Sequence, residues 1–217
     1  MFKFLVIMLI FVSGLSADNT LYVGVGAGPF YGINEAANNE RSPGFSMKAN
    51  AVYTNLLDDY ISLELSLAYA RESHDRNIPS YFKSDMFISD LRARFYFLSF
   101  LNWNLSPYLY GGLGALSYSS EYNSESSAVP DVTKPSFEGN RISGGDFIYN
   151  FGGGISYTIN KLWAIDISLG QNFTSNDNIN PWLDGVDDAF WSSYVTLSYN
   201  MGDLFNLNNG SKPKANE

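Results

Sequence analysis

From Ile61 to Tyr69 the chain alternates without a break. Ile61, Leu63, Leu65, Leu67 and Tyr69 fall on one side, and Ser62, Glu64, Ser66 and Ala68 on the other. A period of two is that of a β-strand with two unlike faces. Eight segments carry the pattern: Leu21–Tyr31, Gly44–Thr54, Tyr60–Ala70, Met86–Leu98, Pro107–Tyr118, Phe147–Thr158, Leu162–Phe173 and Phe190–Met201. Each is close to the roughly 9–11 residues that a tilted membrane-crossing strand needs. The second sets Phe45, Met47, Ala49, Ala51 and Tyr53 against Ser46, Lys48 and Asn50. The fourth sets Leu91, Ala93, Phe95 and Phe97 against Asp90, Arg92, Arg94 and Tyr96, and the seventh sets Trp163, Ile165, Ile167 and Leu169 against Ala164, Asp166 and Ser168. The faces of Pro107–Tyr118 stay ambiguous.

The strands alone fit either a soluble sandwich, with leucine inside, or a membrane barrel, with leucine against lipid. The connections decide. Gly32–Pro43, Arg71–Asp85, Ser119–Asp146 and Thr174–Ala189 are long and polar, whereas Asn55–Asp59, Ser99–Asn104 and Ile159–Lys161 are short. Strict alternation gathers the long connections at one end of a meander, the asymmetry of outer-membrane barrels. Aromatic residues cluster at strand ends as two girdles would: Tyr53, Tyr60, Trp103, Tyr108, Tyr157 and Trp163 near the short turns, and Tyr31, Tyr69, Phe173 and Trp191 near the long ones. The predicted fold is all-β: an eight-stranded antiparallel up-and-down transmembrane barrel.

Met1–Ala17 reads as a secretory signal, with Lys3 as its positive end, Phe4–Val12 as its apolar run and Gly14, Ser16 and Ala17 as small residues suited to cleavage. The organisation expected is signal 1–17, barrel 18–201 and a short polar tail 202–217. The chain has no cysteine, so neither a lipid-modified cysteine nor disulfides contribute. Removing the signal takes away Lys3 alone among the charged residues, so the net charge moves from −9 to −10. A nucleic-acid binder would be basic, and that class drops out.

If the apolar faces meet lipid, six charged side chains point inward: Lys48, Glu64, Asp90, Arg92, Arg94 and Asp166. Their signs balance, as the desolvation cost of enclosed charge requires. A turn centred near Leu57 sets Lys48 diagonal to Glu64, within reach of long side chains. Arg92 and Arg94 enter at similar depth, so Glu64 is expected to be shared by Lys48 and one or both arginines. The network reads as a plug, fixed or able to open. His74, between Ser73 and Asp75, is read as a loop residue, since adjacent residues do not make a converging triad. Asp177, Asp184, Asp187 and Asp188 form an acidic loop of the oxygen chemistry that Ca²⁺ or Mg²⁺ accepts, with no defined ligand spacing. No phosphate-cradling loop, zinc spacing or nucleophile motif appears, and no catalytic residue, metal or cofactor is expected.

The signal Met1–Ala17, the eight-segment meander and the strand Pro107-Tyr-Leu-Tyr-Gly-Gly-Leu-Gly-Ala115 together resemble the small eight-stranded outer-membrane barrel family, which includes OmpA-type, OmpX-type and OmpW-type domains and the opacity-type adhesins. The resemblance covers about Asp18–Met201. It implies the outer membrane of a Gram-negative bacterium, with periplasmic termini. It also implies contact with lipid and lipopolysaccharide, delivery by the outer-membrane assembly machinery, and an extracellular ligand met through the long loops. OmpA-type members have a comparable interior salt-bridge gate. Family members often end on an aromatic strand read by the assembly machinery; here Val195, Leu197, Tyr199 and Met201 alternate correctly, but the chain runs on to Glu217. Three functions follow as expectations: a non-enzymatic structural or surface-interaction role, a narrow channel for ions or small apolar solutes, or a lipid-modifying enzyme.

Overall fold

The computed structural model describes residues 20–33, 43–56, 60–76, 80–97, 104–122, 137–138, 141–175, 179 and 188–201. The signal 1–17, the tail 202–217, Trp103 and most of the first and fourth long connections lie outside the described residues. The strands are β1 (Leu21–Ile33), β2 (Gly44–Leu56), β3 (Ile61–Arg76), β4 (Ser80–Tyr96), β5 (Leu105–Tyr122), the two-residue β6 (Phe137–Glu138), β7 (Arg141–Thr158), β8 (Trp163–Thr174) and β9 (Ala189–Asn200). Every pairing is antiparallel. Consecutive long strands neighbour one another, β5 pairs directly with β7, and β9 returns to β1. The sheet is therefore a closed eight-stranded up-and-down barrel, with β6 seated on the far end of β7.

Closure follows from alternation. With one face of every strand apolar and the other polar, rolling the sheet removes both edges and separates the two faces completely. The apolar face lies outside: Val25, Leu91, Leu109, Leu113, Phe151, Ile167 and Val195 are each more than half exposed. A belt of this size would be an aggregation surface in water and is the required surface in a bilayer. Among the described residues no helix is long and apolar enough to cross a membrane; the crossing is made by strands.

Two expectations about the wall are corrected. Arg71–Asp85 is not one long loop: β3 runs to Arg76 and β4 starts at Ser80. The two ends of Ser119–Asp146 are likewise strand: β5 runs on to Tyr122 and β7 starts at Arg141. Beyond the bilayer neither face needs to be apolar, so the alternation fades while the backbone ladder continues. Tyr108 is not a girdle residue either. It is 2% exposed and points into the lumen. Tyr60, Tyr157, Trp163, Tyr31 and Tyr69 do face outward near the strand ends.

The lumen has two layers. Charged and tyrosine side chains fill the half near the short turns. The half near the long connections holds an apolar cluster that includes Phe30, Met86, Ile88, Tyr118, Ile148 and Phe190, with the Phe30 and Phe190 rings 4.9 Å apart. The sequence pattern points to charge alone, because these apolar residues are spread over five different strands.

Candidate functional site

All six inward charges predicted from alternation are buried, none more than 4% exposed. Glu64 accepts from three groups. Lys48 Nζ is 3.2 Å from Oε1, Asn50 Nδ2 donates to Oε1 at 2.8 Å, and Arg94 Nε donates to Oε2 at 2.9 Å. Arg94 also reaches across the lumen from β4 to β8, with Nη1 2.9 Å from Asp166 Oδ2, and its guanidinium lies 4.5 Å from the centre of the Tyr108 ring. The Tyr108 hydroxyl donates to Asp166 at 2.8 Å. Arg92 pairs instead with Asp90, at 2.7 and 2.8 Å, and stacks on Tyr110 at 4.8 Å. Lys48 sits 4.8 Å over Tyr194.

The distances explain how the lumen holds these six ions together. Each cation has a carboxylate partner and an aromatic face, and the signs cancel. The register differs from the sequence expectation. Lys48 pairs with Ala68 and Glu64 with Val52, so Lys48 and Glu64 are two inward steps apart rather than adjacent on the diagonal. The pairing is centred one residue beyond Leu57, with an irregularity between Tyr53 and Leu56. The lysine stem spans the difference. Arg92 is the direct cross-strand partner of Glu64, yet its guanidinium turns back along β4 to Asp90 because Lys48, Asn50 and Arg94 already occupy both Glu64 oxygens.

Tyr108, Tyr110, Asn50 and a set of glycines complete the layer and were not identified from the sequence. The large inward side chains stand directly across from glycine: Arg92 from Gly112, Asp90 from Gly114, Tyr110 from Gly152 and Tyr108 from Gly154. Side chains that lie over the neighbouring strand need that space. A usable signal existed in Leu109, Leu113 and Ala115, whose shared parity marks the outward face and assigns Tyr108, Tyr110, Gly112 and Gly114 to the lumen. The tightest case is Gly170, where a Cβ would collide with the Tyr110 hydroxyl. Gly170→Ala is therefore expected to destabilise the folded barrel by about 1–3 kcal/mol through overpacking. Adding Tyr110→Phe should restore part of the loss; a urea titration of the three variants checks this.

A second region lies at the long-connection end. Past the aromatic rim, β3, β4, β5 and β7 continue together, and their outward side chains form rows: Arg71 across from Asp85, and Lys83 across from Glu121, itself across from Arg141. Arg71 Nε donates to Asp85 at 2.6 Å, the Tyr69 hydroxyl donates to it at 2.5 Å, Lys83 Nζ is 3.7 Å away, and Arg141 pairs with Glu121. Partial burial acts to raise the Asp85 carboxyl, but the hydrogen bonds from Arg71 and Tyr69 and the nearby charges outweigh it and hold the group below its ordinary range. His74 lies on β3, not in a loop; the register pairs it with Phe82, and Ser73 and Asp75 with Lys83 and Tyr81. Of the acidic loop, Asp177, Asp184 and Asp187 lie outside the described residues. The Asp188 carboxylate accepts from the Ile179 amide at 2.8 Å. Among the described residues no group of three acidic, histidine or cysteine side chains is placed to hold a metal ion.

A closed eight-stranded wall with a lipid-matching exterior, a lumen holding a network of paired charges and strands projecting at one end defines a small transmembrane β-barrel. The family model for the outer membrane protein beta-barrel domain matches residues 2–200, and the chain belongs to that family. Among curated proteins no relative matches. The chain is similar in fold to Neisserial surface protein A, with a TM-score of 0.54 at 15% identity, covering 85% of this chain and 97% of that one. It is also similar to a major outer membrane protein from Thermus thermophilus, with a TM-score of 0.56 at 14% identity, covering 84% of this chain and 99% of that one.

Proposed function

We propose that this outer-membrane barrel is a closed, non-enzymatic anchor that presents a sheet at the cell surface for recognition of an extracellular partner. The observation that carries the reading is the unequal height of the wall. Strands β1, β2, β8 and β9 have 12 or 13 residues, whereas β3, β4, β5 and β7 have 16 to 18. The extra length is all at the long-connection end. Among the described residues β2 meets β3 no further than Phe45–Arg71, and beyond that point β3 continues to Arg76 with β4 as its only strand partner. An open edge of this kind offers backbone hydrogen bonds to an added strand, with alternate side chains supplying selectivity. An even number of strands places both termini at the short-turn end, which this reading makes periplasmic, and the projecting sheet outside.

The packed lumen favours an anchor over a channel, since the ionic layer and the apolar layer both fill the bore. Three measurements test the reading. Intact cells carrying the protein should adhere to at least one surface in a panel of immobilised matrix proteins and sulfated glycans. A variant with Ser73–Lys83 replaced by a short turn should fall to the level of cells lacking the protein while still inserting. Protease on intact cells should cut within Arg71–Asp85 or Ser119–Asp146; cleavage confined to Asn55–Asp59 or Ser99–Asn104 would invert the topology. Discrete conductance steps in a planar bilayer would favour the channel, and a mass change in lipopolysaccharide incubated with the protein would favour the enzyme.

A further inference from the structure

Ile179 lies in the connection between β8 and β9, yet it is 2% exposed and belongs to the apolar cluster of the lumen. Among the described residues it is the one member of that cluster that does not come from a wall strand. Its main chain is held at both polar groups. The Ser120 hydroxyl on β5 donates to its carbonyl at 2.6 Å, and its amide donates to the Asp188 carboxylate at 2.8 Å. Both holders are themselves fixed. Ser120 Oγ lies 2.9 Å from Ser84 Oγ on β4. The Asp188 carbonyl accepts from the Thr174 amide at 3.0 Å and from the Thr174 hydroxyl at 2.7 Å, at the end of β8. One path of hydrogen bonds therefore joins the tall side of the wall to the short side through Ile179.

Burying a peptide group costs free energy unless its amide and carbonyl are both paired. A connection that merely collapsed onto the bore would leave them to chance. Here two buried side chains from different parts of the wall converge on one residue. The unequal height of the wall explains why a residue is needed there. β8 ends at Thr174 and β9 starts at Ala189, whereas β5 runs on to Tyr122 and β7 starts at Arg141. The inner face of the tall side carries Tyr118 and Ile142, both buried and both in the cluster with Ile179. Where the short side stops, Ile179 supplies apolar cover that the wall does not.

We propose that Ile179 is a built-in stopper. It seals the apolar half of the lumen at the long-connection end, and it withdraws while the barrel stays folded. The wall is closed by continuous strand pairing, whereas the stopper is held by one side chain and two hydrogen bonds outside any ladder. Segments held by few contacts open at lower free energy than the ladders around them. This holds whether or not the projecting sheet recognises a partner.

The chain has no cysteine, so single introduced thiols report access to the lumen without background. Ala70→Cys places one in the apolar cluster on the inner face of β3, and Ser66→Cys places one nearer the short turns, among the buried charges. The readout is the rate at which a charged methanethiosulfonate modifies the folded full-length protein in detergent. The reagent then reaches both ends, and the result does not depend on which end faces outside. With Ile179 in place Ala70→Cys should react slowly. Adding Ile179→Ala should speed it by roughly tenfold or more, as loss of most of a buried apolar side chain implies. Adding Ser120→Ala should speed it by roughly two- to tenfold, the value of one net hydrogen bond. Ile179→Val, which keeps most of the side chain, should stay close to the original rate. Ser66→Cys should react at one slow rate in every background. Heat-modifiable gel migration confirms folding, and Ala68→Cys, in the same cluster, is the reporter if Ala70→Cys does not fold. Fast modification with Ile179 intact would overturn the proposal, as would a rate unmoved by Ile179→Ala. A parallel rise at Ser66→Cys would overturn it too, since the whole barrel would then have loosened.

Discussion

Replacing Glu64 with glutamine is expected to lower the stability of the folded barrel by about 3–5 kcal/mol in a urea titration, the usual cost of leaving buried charge without its partner. Glu64 is 1% exposed and is the only carboxylate within 4.0 Å of Lys48 among the described ion pairs. It also shares Arg94 with Asp166. A neutral amide in its place offers donors where two cations need an acceptor. Lys48→Met alone removes a cation and leaves Arg94 and Asn50 on Glu64, so its loss should be smaller. In the double variant the orphaned lysine goes too, and part of the Glu64→Gln loss should return, giving a coupling of opposite sign to the two single losses. Simple additivity of those losses would mean that the two residues do not act on each other, and the plug would then rest on Arg94 and Asp166. Asp90→Asn provides the contrast. It strips Arg92 of the partner that pairs through both nitrogens at 2.7 and 2.8 Å, and should be costly without being rescued by Lys48→Met.

The parts of this molecule that were legible in the sequence are those governed by period two. Ile61–Tyr69 alternates, so Glu64 must lie opposite the leucines, and the same argument places Lys48, Asp90, Arg92, Arg94 and Asp166 in the lumen, where all are buried. Who pairs with whom was less legible, because it depends on register. A pairing centred one residue beyond Leu57 moves Lys48 from diagonal contact to a position that only a long side chain can span. The choice of Asp90 over Glu64 by Arg92 depends on competition among three donors, which no local pattern encodes. The place of Tyr108 is not encoded locally, because tyrosine suits both an interfacial girdle and a lumen; the glycine across the ladder, not the tyrosine, distinguishes them. The projecting sheet has the sequence pattern of a loop because its strands leave the bilayer that imposes the alternation. In each case the missing information lies in the neighbouring strand.

The second large effect tests the wall itself. Ile167 is 58% exposed on β8, with Val195 and Ile155 beside it on the neighbouring strands, near the middle of the apolar belt. Ile167→Arg should cost about 2–4 kcal/mol if this surface faces hydrocarbon at the bilayer midplane, and the same substitution near an interface should cost only about 0–1 kcal/mol. Trp163, at the short-turn end of the same strand and also outward-facing, supplies the interfacial site, so Trp163→Arg should be nearly neutral apart from loss of its edge-on contact with Tyr199. Ser168, next to Ile167 but buried in the lumen, separates depth from mere disruption. Ser168→Arg should be destabilising in micelles and bilayers alike because it crowds a filled bore, whereas the penalty at Ile167 should grow when the barrel is moved from micelles into bilayers of defined thickness. Urea titrations of the three variants in phospholipid vesicles measure the gradient directly. Equal costs at Ile167 and Trp163 would show that the β8 surface does not cross a hydrocarbon layer, since in water two exposed arginines on one strand face differ little.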